Sequence, residues 1–225
     1  ITVEKTRTGK YFCSILYECA EQAPKIITPT PETTIGLKYS MPHFYVADNG
    51  ETAGAPHWLK RSQEKLANMQ QKLSRMQPGS KNYQEMVQKY RLLHEHIANQ
   101  RRDFIHKESR RIANAWNAVC MQSAALPELS RALTRGNVLD AGYGIFLRYK
   151  LERQGKPLIL VDRYAPTTRT CSVCGQVGEE VPLASKVWTC TQCGTVHQKQ
   201  SNTAQNIKTQ GLAQYFNRQA QKKSA

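Results

Sequence analysis

The chain has 225 residues, enough for one large domain or one domain with a small appendage, and 40% of them are hydrophobic, so a core can form. Its net charge of +15 and pI near 9.6 point to a polyanionic partner, because neutralising phosphates releases counterions and supplies sequence-independent affinity. No apolar run approaches the roughly 18 residues of a membrane-spanning helix and no signal peptide is visible; the basic residues are spread along the whole chain, which favours nucleic acid over a membrane surface, and a cytoplasmic protein is expected.

Residues 3–19 alternate around "RTGK" and predict a β-hairpin. The chain opens at Ile1 directly in strand-like sequence, so further chain is expected ahead of it. A Pro/Thr-rich linker, "TPTPETT", precedes "IGLKYSMPHFYVADNGE", which reads as two short strands with Asp48-Asn49-Gly50 turning after the second. From Trp58 the period becomes helical. Leu59, Leu66, Met69, Leu73 and Met76 form one apolar stripe, Gln77-Pro78-Gly79-Ser80 breaks it, and Tyr83, Met86, Tyr90, Leu93 and Ile97 resume it. This predicts an antiparallel helical hairpin. "WNAVCMQSA" predicts a buried strand, the stretch 133–155 a helix ending at Gly155, "PLILVDRYA" another strand, and about Ser201 to Arg218 a last helix, with 219–225 a frayed tail. Such mixing of strands and helices indicates an α/β sheet with helices against it.

Cys171, Cys174, Cys190 and Cys193 stand as C-x2-C-x15-C-x2-C, with a glycine after each pair. Two tight knuckles at this spacing close a tetrahedron of thiolates around Zn²⁺. Four cysteine ligands leave no open coordination position, so the zinc is expected to be structural; His197 is an alternative ligand. The remaining thiols, Cys13, Cys19 and Cys120, lie in apolar strand-like stretches and are expected to be small core residues in a reducing compartment.

Several segments together resemble the C-terminal half of TnpB, the transposon-encoded RNA-guided nuclease related to type V CRISPR effectors. They are "KLSRMQPGSKNYQ", "HIANQRRDFIHKESRR", "DAGYGIFLRYKLERQGKPLILVDRYAPTTRTCSVCG" and "TCTQCGTVHQKQSNTAQNI". The resemblance implies an RNase H-like (RuvC) α/β core with an inserted helical hairpin and a four-cysteine zinc ribbon, preceded by a fragment of a β-rich wedge domain. The implied boundaries are 1–28 for the wedge fragment, 29–167 for the RuvC-like domain with its hairpin at 58–111, 168–197 for the ribbon, and 198–218 for the last helix.

That family cuts DNA with Mg²⁺ held by three acidic residues, since a hard cation requires anionic oxygens. Where the family reads roughly V-G-I-D-L-G, this sequence has "IGLKYS", with Lys38 at the aspartate. Gln122 in "VCMQSA" answers the glutamate of the second strand, and Gln200 in "QKQSNTAQNI" answers the last aspartate. All three acids are replaced, so no catalytic Mg²⁺ is expected, and Asp162 is the nearest carboxylate to a rescue. The resemblance therefore extends to the nuclease-dead, TnpB-like repressors (TldR): proteins that use a guide RNA to occupy double-stranded DNA and block transcription. The alternatives are a transposon accessory that binds RNA without targeting DNA, a nuclease with substituted ligands, and an inactive remnant.

Basic residues expected to contact nucleic acid are Lys38, Arg75, Lys81, Lys89, Arg101, Arg102, Arg110, Arg111, Arg169, Lys186, Lys199 and Lys208. From Val181 onward the chain contains no Asp or Glu.

Overall fold

The structure is a computed structural model that describes residues 1–18, 24–40, 43–54, 58–123, 147–182 and 184–224. Cys19 and residues 133–146 of the expected helix lie outside the described residues. The chain divides into two compact units, one of residues 1–22 and 56–104, the other of residues 23–55 and 105–225.

In the first unit, β1 (Thr2–Lys5) and β2 (Tyr11–Ser14) pair antiparallel around the predicted turn, where Gly9 takes a φ of 90°. Every residue of both strands is exposed, Cys13 included. The expectation that Cys13 is a core residue is thereby corrected: a two-stranded ribbon buries a side chain only where a second layer covers it. Helix α1 (Trp58–Ser74) and the greater part of helix α2 (Lys81–Ala115) follow, separated at the predicted Gln77–Ser80 break, and residues 105–115 of α2 belong to the second unit. Ser80 caps α2 by accepting the Tyr83 amide at 3.2 Å. From Leu66 to Ile97 the apolar stripe anticipated from periodicity marks less exposed positions, with Leu66 and Ile97 buried.

The second unit is built on a five-stranded sheet ordered β5-β4-β3-β6-β7. Its strands are β3 (Thr34–Ser40), β4 (Phe44–Ala47), β5 (Thr52–Ala53), β6 (Ala118–Gln122) and β7 (Leu158–Val161). The first three form an antiparallel meander, while β3, β6 and β7 run parallel. Parallel strands are buried on both faces, which explains the unbroken apolar run of "AVCM" in β6.

Helix α3 (Lys199–Ser224) crosses one face of this sheet, where Cys120, Ile159, Val161, Ile207 and Leu212 form a buried cluster. Each of the larger side chains fully buried there contributes about 1.5–3 kcal/mol. The helix comes within touching distance of the sheet because Gly36 and Gly211 have no side chain. A Cβ on Gly36 would lie 2.2 Å from the Ala204 carbonyl oxygen, and one on Gly211 would lie 2.7 Å from Cys120 Sγ. Asp48 locks the same junction. Its carboxylate accepts the Gly36 amide at 2.8 Å and pairs with Lys208 at 2.8 Å. Helix α3 continues to Ser224, past the expected end at Arg218, because 219–224 holds no glycine or proline to stop it.

Elsewhere in this unit, residues 147–152 are helical and end at Gly155, whose φ of 66° and 2.1 Å Cβ clearance from the Lys25 carbonyl admit only glycine. Lys150 donates to Ser109 Oγ and the His106 carbonyl, both at 2.6 Å, tying this helical turn to the end of α2. Tyr45 on β4 meets Glu108 and Arg111 of the same helix end, and burial followed by the Glu108 charge pushes its phenol up to about 12. Arg111 also pairs with Glu51 at 3.3 Å.

Candidate metal centre and nucleic-acid interface

The two cysteine knuckles are near copies of each other. In the first, Cys171 accepts the Gly175 amide on its carbonyl at 2.9 Å and donates its own amide to Gln176. In the second, Cys190 does the same with Gly194 and Thr195, again at 2.9 Å. Gly175 and Gly194 adopt φ of 77° and 71°, the left-handed turn that the glycine after each pair foretold. The β-ribbon of β8 (Val187–Thr189) and β9 (Val196–Gln198) carries the second knuckle.

All four sulfurs lie within 4.8 Å of one another, with Cys171–Cys193 at 3.6 Å and Cys174–Cys190 at 3.7 Å. Tetrahedral Zn–S bonds of about 2.3 Å place sulfurs roughly 3.8 Å apart, so the cluster fits a zinc ion. Without metal the thiols cannot all ionise together. Hydrogen bonds from Thr195 pull Cys193 down to about 6. The Gln176 amide lowers Cys174 too, but burial and the neighbouring sulfurs outweigh it and leave that thiol near 12. A dication would displace the remaining protons.

His197 is not a fifth candidate of equal standing. It is buried, its Nε2 sits 3.0 Å from Cys171 Sγ, and its ring packs on Trp188 with centroids 4.9 Å apart. This is the geometry of a group that supports a ligand from outside the cluster. Two further supports escaped sequence reasoning. Asn202 accepts the Ser172 amide at 2.9 Å and donates to the Thr170 carbonyl at 2.8 Å. Asn206 donates to the carbonyls of Thr167 and Thr170 at 2.8 and 2.6 Å. The i, i+4 spacing of two asparagines on the last helix was the available signal.

The second location of interest is the end of the parallel strands. Gly36 and Cys120 face α3, so the residues two further along each strand, Lys38 and Gln122, face the same side. Register places them opposite each other and next to Val161. Lys38 Nζ stands 3.5 Å from Gln122 Oε1, while Gln122 Nε2 donates to the Arg163 carbonyl at 2.9 Å. Two residues along a strand cover about 6.6 Å, and four residues back along a helix about 6 Å. Since Gly36 meets Ala204, Lys38 faces the first turn of α3, which holds Lys199 and Gln200. Burial lowers the Lys38 pKa, and the Lys199 charge lowers it further, which agrees with that placement. Asp162, the carboxylate considered for rescue, is exposed, and its Oδ1 accepts the amide of Tyr164 at 2.7 Å.

Among the twelve basic candidates, Arg75, Lys81, Lys89, Arg101 and Arg102 belong to the first unit and the other seven to the second. Arg75, Lys81, Lys89, Arg102, Arg110, Arg169 and Lys186 are exposed, and Arg101 is half-buried. Three others already have structural partners. Arg111 and Lys208 are held by the ion pairs described above, and Lys199 Nζ donates to the Val181 and Pro182 carbonyls at 3.2 and 2.8 Å. Among the described residues, no helix is long and apolar enough to cross a membrane.

A mixed sheet covered by a long C-terminal helix, with a four-cysteine ribbon feeding that helix, defines the class to which the chain is similar. Residues 144–207 match the family "Cas12f1-like, TNB domain", and residues 14–122 match the family "Probable transposase" (OrfB_IS605). A "Putative RNA-guided DNA endonuclease" of Streptomyces pristinaespiralis is 32% identical over 220 residues, covering 95% of this chain and 53% of that protein. The "Putative RNA-guided DNA endonuclease InsQ" of Escherichia coli (strain K12) is 26% identical over 233 residues, covering 95% and 56%. The cryo-EM structure of a Cas12f1-sgRNA-target DNA complex shares the fold with TM-score 0.58 at 19% identity, over 82% of this chain and 40% of that one. A CRISPR-Cas12f ternary complex gives TM-score 0.60 at 17% identity, covering 84% and 40%. The chain belongs to the TnpB/Cas12f-like family. It spans about half the length of the curated relatives it matches.

Proposed function

We propose that this chain is the RuvC-like part of an RNA-guided DNA-binding protein that has lost nuclease activity and represses transcription by occupying guide-matched DNA. The observation that carries this reading is the chemistry at the end of the parallel strands. An ammonium and an amide, Lys38 and Gln122, sit side by side where the parallel pairing of β3 with β6 ends, facing the helix turn that holds Gln200. A pair of Mg²⁺ ions needs carboxylates there. A lysine at about 4 Å repels a dication, and an amide carbonyl does not offset its charge. The residues present therefore do not fit a catalytic metal pair.

The sheet order, an antiparallel meander continued by parallel β6 and β7, supports the RuvC-like assignment. The relatives' names support RNA guidance, and the net charge of +15 supports a nucleic-acid partner. Sequence would then be read by guide pairing while the protein tracks the heteroduplex backbone.

The test is made on the full-length protein isolated from its native cells. Sequencing of bound RNA is expected to give a discrete species with a constant scaffold and a short variable end. Duplex DNA matching that end is expected to be bound and left intact in Mg²⁺ or Mn²⁺. The triple substitution K38D/Q122E/Q200D is expected to introduce metal-dependent cutting. Bulk RNA alone, or cutting by the parent protein, would overturn the reading.

A further inference from the structure

We infer that the four-cysteine cluster is an oxidation site for hydroperoxides. The exposed Cys174 and Cys193 are the sulfurs attacked, and the buried Cys190 and Cys171 resolve them into two disulfides that cross between the knuckles and release the metal. This chemistry lies beyond the function proposed above and does not depend on it.

The first observation is how exposure is divided. Each knuckle holds one buried and one exposed cysteine. Cys171 and Cys190, the first of each pair, are 1% and 3% exposed, while Cys174 and Cys193, the second of each pair, face solvent. The division follows from position in the turn. The first cysteine is tied down by both its amide and its carbonyl, whereas the second stands at the tip, next to the left-handed glycine. The ligands of a zinc ion are thiolates, the form that a hydroperoxide attacks. An oxidant arriving from solvent therefore meets Cys174 and Cys193 first.

The second observation is which sulfurs touch. Cys193 lies 3.6 Å from Cys171, and Cys174 lies 3.7 Å from Cys190. Both contacts run from one knuckle to the other, and each joins an exposed sulfur to a buried one. The exposed sulfur of either contact thus has a protected partner at hand, and bonding between them needs closure only to about 2.05 Å. His197 Nε2, 3.0 Å from Cys171 Sγ, braces that buried partner from behind.

The steps balance at each contact. The exposed thiolate takes the terminal hydroxyl of the hydroperoxide, becoming a sulfenic acid, while the O–O bond breaks and an alkoxide or hydroxide leaves. The buried thiolate then attacks the sulfenic sulfur; the S–O bond breaks, hydroxide leaves, and the S–S bond forms. Two thiolates lose two electrons and one hydroperoxide gains them. Once both contacts have reacted, no thiolate remains to hold a dication.

The experiment uses the full-length, zinc-loaded protein and hydrogen peroxide. Exposed Cys13, which lies outside the cluster, sets the dose. At the dose that oxidises Cys13, the zinc is expected to be lost to a chromophoric chelator. Peptide mapping is expected to find Cys171 joined to Cys193 and Cys174 joined to Cys190. Dimedone present during the reaction is expected to trap sulfenic acid on Cys174 and Cys193 and on neither buried cysteine of the cluster. A dithiol reductant with added zinc is expected to restore the metal content. Zinc retained at that dose overturns the inference, as do disulfides within a knuckle or sulfenic acid trapped on Cys171 or Cys190. None of these readouts needs a variant to fold. Bound RNA and DNA are measured without peroxide, so a failure here leaves the proposed function standing.

Discussion

At the residue scale, the pKa of Lys38 is lowered in the fold by burial and then by Lys199, so between that lowered value and the ordinary 10.5 the unfolded chain binds more protons than the folded one. Stability therefore rises with pH through that window, and at pH 7 the charged lysine costs the fold its full share. Lys38→Met is expected to raise stability by about 1 kcal/mol, or roughly 2–4 °C in melting temperature for a chain of this size. The gain is expected to shrink as the pH of the thermal scan is raised toward about 10. A melting temperature lowered by the same amount would show that the ammonium stabilises the sheet.

At the element scale, the ribbon and the last helix stand or fall together. The knuckles were legible because C-x2-C-G is a local code: two thiols, a left-handed glycine, and backbone amides within five residues. What holds the first knuckle to the last helix was not legible, because Asn202 and Asn206 act on carbonyls more than 30 positions away in the chain. Removing Asn202 strands the Ser172 amide and takes one donor from the Thr170 carbonyl. Asn202→Ala is expected to cost about 1–3 kcal/mol by thermal unfolding. It is also expected to weaken zinc about 10–100-fold in competition with a chromophoric chelator, as removal of an outer support does. Wild-type zinc affinity in that variant would mean that the knuckle holds its shape without the helix.

At the scale of the whole molecule, the charge is the feature that acts at a distance. The basic residues are divided between two units, and Arg111 and Lys208 are already neutralised by partners within the fold. Substituting the exposed Lys89 and Arg102 is therefore expected to lower DNA affinity and the salt slope of the full-length protein, by about 0.9 for each duplex phosphate that is no longer neutralised. Substituting Lys208 is expected to lower stability first. Binding titrations at several salt concentrations, paired with thermal scans, separate the two effects.

While β5, β8, β9 and the order within the sheet came from the structure, the sequence by itself determined the helical hairpin, strands β1 to β4, β6 and β7 as segments of the chain, and the cysteine knuckles. Each of those rests on periodicity or on spacing within about 20 residues, and local physics repeats wherever the pattern does. It also singled out Lys38, Gln122 and Gln200, but only through resemblance. Their juxtaposition required the parallel register of β3 with β6 and the approach of α3 permitted by Gly36 and Gly211. Tertiary structure alone decided that Lys208 and Arg111 serve the fold, that Cys13 is exposed, and that Lys38 stands without an anion among the described residues. Those outcomes depend on which residues distant in sequence become neighbours, and pairing across 160 positions, as between Lys208 and Asp48, leaves no trace in either local segment.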